Sequence, residues 1–204
     1  MEAYLARSFL SRKNIFKTSL DWSFRIKTRK ENQEVFFVVD PIVKIGESAI
    51  VSLKDRSTRN PRQRSRLCAH QSPLDDIHEM LIVHHKGVYV QPHMHVRKNE
   101  SIHIIEGAVD IVIFDQDGVI IDLIEMGDYA SGQVFYYRLP ELQFHTLLIQ
   151  SEVLVFHEVT KGPFRRGDTV WAPWAPKEFE IEQVVGYSGN LERLAENFKE
   201  EDQR

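Results

Sequence analysis

His93 and His95, separated by Met94, stand at i and i+2, and on an extended segment such residues project from one face. Glu100 follows a short polar turn, Val96 to Asn99, and brings a carboxylate towards the same point. Neutral imidazole and carboxylate together form a donor set for one borderline divalent ion, whether Fe, Mn, Ni, Co or Zn. Gly87 and Gly107 bracket the run and mark turns where strands begin and end.

The chain that must position these donors has 204 residues, 42% of them hydrophobic, enough for one domain with a sizeable core. Strand-forming runs rich in Val, Ile, Leu or Phe are Val35 to Val39, Ala49 to Leu53, Met80 to Val83, Val88 to His95, Ser101 to Phe114, Val119 to Met126, Val134 to Leu139, Phe144 to Gln150 and Val153 to Val159. Gln116-Asp117-Gly118 reads as a hairpin turn between two of them. Strands in series without long helices between them predict an antiparallel sandwich or closed barrel. One helix is expected near the end, capped by Asn190, with Leu191, Leu194, Ala195 and Phe198 on one face. The organisation is then a basic extension (1–33), an all-β domain (34–178) and an acidic segment carrying a helix (179–204).

Net charge is −4, unevenly spread. Residues 1–30 hold eight Lys or Arg against Glu2 and Asp21, leaving +6, so the remainder carries −10. An Arg-rich, acid-poor start resembles an organellar transit peptide in composition, but a cytoplasmic bacterial protein with a basic extension is the expected reading. The acidic balance excludes nucleic acid as a natural partner, and no apolar run approaches a membrane span. Cys68 is the only cysteine, so no intrachain disulfide forms, and it is expected as a small buried hydrophobe.

The segment from Gly87 to Gly107 fits the first motif of the cupin superfamily: glycine, five residues, His-x-His, four residues, glutamate, six residues, glycine. The resemblance implies a cupin (RmlC-like jelly-roll) β-barrel and a fourth ligand from a second motif. Pro140 followed five residues later by His145 keeps that motif's spacing, with Leu142 where a glycine is usual and Ile149 where an asparagine is common. More of the chain resembles the WbuC-type cupin metalloproteins: Arg62 to His70, Asp76 to Met80, Lys98 to Ser101, Phe114-Asp115, His145-Thr146, Glu158 to Phe164, and Trp171-Ala-Pro-Trp174-Ala-Pro. His78 and Glu79 depart from the glutamine and arginine expected there. The likeness implies one divalent metal on His93, His95, Glu100 and His145, and a setting in surface-polysaccharide metabolism.

Such a site fills a tetrahedral zinc, whereas an ion preferring five or six ligands keeps positions for water or substrate. The leading expectation is a metal-dependent enzyme acting on a small sugar-derived or carboxylate substrate. The alternatives are an Fe(II)-dependent dioxygenase and a non-catalytic binding module. Arg62, Arg64 and Arg66 alternate along an extended segment and would point the same way, towards an anionic ligand or into solvent. His70 and His78 are candidates for the pocket mouth, and Tyr89 and Gln91 share parity with the histidine pair. His84 and His85 are expected exposed before a Lys-Gly turn, and His103 should face away from Glu100. Trp171 and Trp174 are expected as an apolar cover, a subunit contact or a carbohydrate platform. A homodimer is the expected assembly.

Overall fold

The structure is a computed structural model and describes residues 26–202, so most of the basic extension lies outside the described residues. In chain order the elements are β1 (Thr28–Lys30), β2 (Val35–Val38), α1 (Glu47–Thr58), β3 (Arg64–Cys68), β4 (Ile77–His85), β5 (His93–His95), β6 (Glu100–Glu106), β7 (Ala108–Phe114), β8 (Ile120–Gly127), β9 (Tyr136–Leu139), β10 (Phe144–Ile149), β11 (Val153–Lys161), β12 (Thr169–Trp171) and α2 (Ile181–Asp202). One sheet has the order β1-β2-β3-β4-β11-β6-β9 and the other β12-β5-β10-β7-β8. Among these strands only β2 and β3 pair in parallel. This is the all-β, double-sheet barrel expected from the sequence.

Strand alternation builds three layers of packing. Inside, Met80, Ile82, Ile102, Ile104, Leu154 and Phe156 of the first sheet meet Val109, Ile111, Ile113, Leu147 and Ile149 of the second. On the first sheet's outer face, Leu53 of α1 packs on Leu67, Leu81, Val83 and Val155. Beyond the second sheet, Ala172, Ala175 and Leu191 cover Val112, Phe114 and Phe144. Each fully buried aliphatic or aromatic side chain contributes about 1.5–3 kcal/mol.

Several expected boundaries shift. Ala49 to Leu53 lies in α1, not in a strand: Leu53 and Ser57, four residues apart, face the sheet, and tertiary burial overrides the β-branched Ile50 and Val51. Ser101 to Phe114 is two strands, because Gly107 (φ +93°) turns the chain from one sheet to the other. A Cβ there would meet Ser151 Oγ at 2.3 Å and the Val153 carbonyl at 2.4 Å. Of Val88 to His95, only His93–His95 is strand. The hairpin turn after β7 is held by Asp115, whose carboxylate accepts from the N–H groups of Asp117 and Val119. The final helix begins at Ile181, so Asn190 is inside it rather than its cap. Gly186 and Gly189 cost roughly 1 kcal/mol each in a helix, but Leu191 and Ala195 are buried and Lys199, one turn on, pairs with Asp110 of β7 at 2.8 Å.

Candidate metal centre

Two strands bring the histidines together. His93 and His95 share a face of β5, and His145 of β10 stands directly opposite His93 in the ladder. One ligand nitrogen from each of His93, His95 and His145 lies within 4.8 Å of the other two. The rings are oriented by what their other nitrogens touch. His93 Nδ1 is 2.9 Å from the Gln91 carbonyl oxygen, and His145 Nδ1 is 3.1 Å from that of Gln143. A carbonyl only accepts, so both rings carry a proton on Nδ1 and turn Nε2 towards the centre. His95 Nδ1 faces Thr169 Oγ1 at 3.4 Å.

Glu100, the first residue of β6, sits against two of these rings: Oε2 is 3.0 Å from His95 Nε2 and Oε1 is 3.0 Å from His145 Nε2. Tyr137 of β9 donates its hydroxyl to Glu100 Oε1 at 2.8 Å. Glu100, His145 and Tyr137 are buried and His93 and His95 half-buried, and the pKa directions follow. Burial pushes His93 down to about 3, with the neighbouring His145 acting the same way, so this imidazole is neutral and available. Burial alone would raise Glu100, but the His145 and His95 imidazoles outweigh it and hold the carboxyl well below its usual range. His145 is correspondingly raised, because Glu100 outweighs the cost of burial. Burial, reinforced by Glu100, keeps the Tyr137 phenol protonated. His93, His95 and His145 form a donor set that suits a borderline divalent ion, and Glu100 lies beside it with one oxygen 3.0 Å from His95 and the other 3.0 Å from His145.

The remaining candidates separate into those near this centre and those elsewhere. Arg62 and Arg64 do not reach into the barrel unpaired, since both bind the chain's own Glu34 and Glu178. Gln63 (φ +48°) breaks the extended backbone, so Arg62 does not share the register of Arg64 and Arg66. Arg66 stands opposite Ile82 on the interior face. His70 and His78 are buried and stacked, 4.2 Å between ring centroids and 3° from parallel. Tyr89 is not on the site's wall: the backbone before His93 is not strand, parity does not carry through it, and the hydroxyl donates to the Pro176 carbonyl at 2.9 Å while the ring meets Tyr187. Gln91 contributes its carbonyl oxygen to His93.

Other expectations resolve individually. His84 is buried, only 8% exposed, against Phe156, because it shares the inward face of β4 with Ile82. His85 lies 2.9 Å from Ser57 Oγ, and His103 is exposed on the opposite face from Glu100. Cys68 is buried in the core, its thiol pushed up to about 11 by burial. The two tryptophans part company. Trp174 packs on Phe114 and Phe144 as an apolar cover, whereas Trp171, 55% exposed, stands opposite His93 with its ring 5.5 Å away. Tyr137 and Glu158 were missed in the sequence. Their signal was parity, since Tyr137 alternates with Leu139, and Glu158 with Leu154 and Phe156, on inward faces.

Residues 45–126 match the family described as Domain of unknown function (DUF6016). That stretch contains His93, His95 and Glu100 but stops short of His145. No curated protein matches the chain. Similar solved structures include oxalate decarboxylase from Bacillus subtilis, 17% identical over 53% of this chain and 27% of that one, with a TM-score of 0.42. The Lactobacillus farciminis oxalate decarboxylase in its formate complex is 16% identical over 48% of this chain and 27% of its own, with a TM-score of 0.39. CapF bound to 3-isopropenyl-tropolone is 15% identical over 53% of this chain and 30% of its own, with a TM-score of 0.42. The chain thus spans little more than a quarter of the length of the two decarboxylases. Among the described residues, no helix is long and apolar enough to cross a membrane.

Proposed function

We propose that this protein is a metal-binding cupin in which His93, His95, Glu100 and His145 hold one divalent ion, and that it is an enzyme acting on a small sugar-derived substrate in surface-polysaccharide metabolism. The observation that supports the metal reading is the convergence of three rings: His93 and His145 give Nδ1 to backbone carbonyls, and one nitrogen from each of His93, His95 and His145 lies within 4.8 Å of the others, with Glu100 against His95 and His145. The substrate class and setting rest on the WbuC-type resemblance. The absence of any possible intrachain disulfide suits the cytoplasm, and we take the protein to be a homodimer.

When bound, a divalent ion in such a site polarises a carbonyl or hydroxyl oxygen and lowers the pKa of bound water. The chain's own residues do the rest. Glu100 supplies the negative charge that offsets the ion, and Tyr137 fixes the carboxylate's orientation through Oε1. Trp171 offers an exposed apolar surface beside His93. The test is to incubate metal-loaded protein with a panel of sugars, sugar phosphates and sugar acids, follow the products by NMR, and use His93→Ala as the blank. Turnover by wild type alone supports the enzyme. Binding without turnover across the panel would leave a ligand-binding module instead.

A further inference from the structure

Beside the metal residues, the first sheet carries a second set of polar side chains that the metal does not use. Glu158 of β11 stands between Met80 and Ile102, both residues of the barrel interior. Arg66 shares that face from β3, and His78 lies opposite Thr160, which in turn pairs with Glu100. Lys98 enters from the turn before Glu100. It is 6% exposed, with its ammonium 5.6 Å above the Phe164 ring.

These groups lack good partners among the described residues. Among the described residues the one carboxylate within 4 Å of the Lys98 ammonium is Asp168, at 3.9 Å, beyond hydrogen-bond reach and already accepting from Arg97, while Glu158 acts on it from farther away. The buried Nε2 of His78 has no hydrogen-bond partner. Glu158 and Arg66 form no ion pair within 4 Å, although the Arg66 charge acts on Glu158. A largely buried lysine whose ammonium has no hydrogen-bonded counter-charge is stabilised by gaining one. Charge counting points the same way. Lys98, Arg97 and Arg165 surround Asp168, with Glu158 the second carboxylate acting on Lys98, so cations outnumber carboxylates there by one. His78 is pushed down by burial and then by Lys98, so it stays neutral and able to hydrogen-bond a hydroxyl.

We propose that Lys98 binds the anionic group, carboxylate or phosphate, of the small polar substrate that enters the barrel beside His93, His95, Glu100 and His145. This deepens the metalloenzyme reading and rests on it for the substrate's reacting end, while Lys98 accounts for its anionic end. Phosphate and carboxylate share the chemistry an ammonium recognises, a compact anion with several acceptor oxygens.

The test is calorimetric titration of inorganic phosphate, glycerate and neutral glycerol into wild type, Lys98→Met, Lys98→Arg and a control, Lys86→Met, which removes an exposed surface charge. Each is measured both metal-free and cobalt-loaded. Lys98→Met should weaken both anions about tenfold or more in either form, with Lys98→Arg close to wild type. Lys86→Met should match wild type, and glycerol should be indifferent to every variant. Tighter phosphate than glycerate identifies a phosphorylated substrate, and the reverse a carboxylic acid. Equal anion affinity in wild type and Lys98→Met, or no anion binding by wild type, overturns the inference even if cobalt loads normally. Lys98-dependent anion binding in a protein that takes up no cobalt would sink the metal reading and leave this one standing.

Discussion

The two ends of the barrel interior are made by the same strands from opposite kinds of residue. Along β10, His145 gives way to Leu147 and Ile149; along β6, Glu100 gives way to Ile102 and Ile104; along β11, Glu158 gives way to Phe156 and Leu154. One end is a close-packed apolar plug. The other gathers imidazoles, carboxylates and a phenol whose burial costs free energy unless each finds a partner. The contrast teaches a division of labour: burial at the apolar end offsets the cost of desolvating the polar groups at the other.

Damage to each end should therefore have its own signature. Ile111→Ala, at the centre of the plug with no exposed surface, should cost about 2–5 kcal/mol in denaturant unfolding, while folded protein keeps full metal stoichiometry. Tyr137→Phe, at the polar end, should do the converse: metal affinity falls about 10–100-fold in competition with a chelating dye, with little change in the unfolding midpoint of metal-free protein. Loss of stability without loss of affinity in that variant would blur the division.

His84 sharpens the comparison because it is a titratable group inside the apolar region. Burial, with Arg66 adding to it, pushes its pKa down to about 3, against an ordinary value of 6.5. The unfolded chain therefore binds this proton first. The group's contribution is complete above about 6.5 and is lost as pH falls towards 3. His93, similarly depressed, acts in the same sense, and His145, raised by Glu100, acts against it. Thermal melts between about pH 7 and pH 5 should show a shallower stability loss for His84→Leu than for wild type. An identical slope would mean that the ring is not held neutral. The smallest effect concerns the turn that carries β10. Leu142 has φ +65° and is 54% exposed, so Leu142→Gly should raise stability by up to about 1 kcal/mol through relief of a left-handed backbone.

Much of this was readable in the chain before folding. The spacing of His93, His95 and Glu100 gave the centre's first half, because strand parity is local and survives into three dimensions. Leu142 shows why a glycine is usual at its position in the resemblance that supplied His145: the backbone there is left-handed, and its N–H donates to the His95 carbonyl. What stayed hidden depended on contacts distant in sequence. Ala49 to Leu53 is helical because α1 finds a sheet to cover, and α2 tolerates two glycines because Lys199 reaches Asp110. Parity ends where β5 ends, so Tyr89 turns to Pro176 and Tyr187, and Arg62 and Arg64 pair with Glu34 and Glu178 far along the chain. Lys98 stands in the sequence only as part of the resembling run Lys98 to Ser101, and its want of a hydrogen-bonded counter-charge shows only when the barrel closes around it.

The measurement that bears most directly on the central claim is metal content by elemental analysis of protein purified without added metal or chelator, wild type beside a His93→Ala, His95→Ala double variant. The account predicts close to one divalent ion per chain in wild type and none in a variant that remains folded by circular dichroism. A wild type that stays empty even after incubation with Fe, Mn, Ni, Co and Zn, or a folded double variant that keeps its metal, would contradict it.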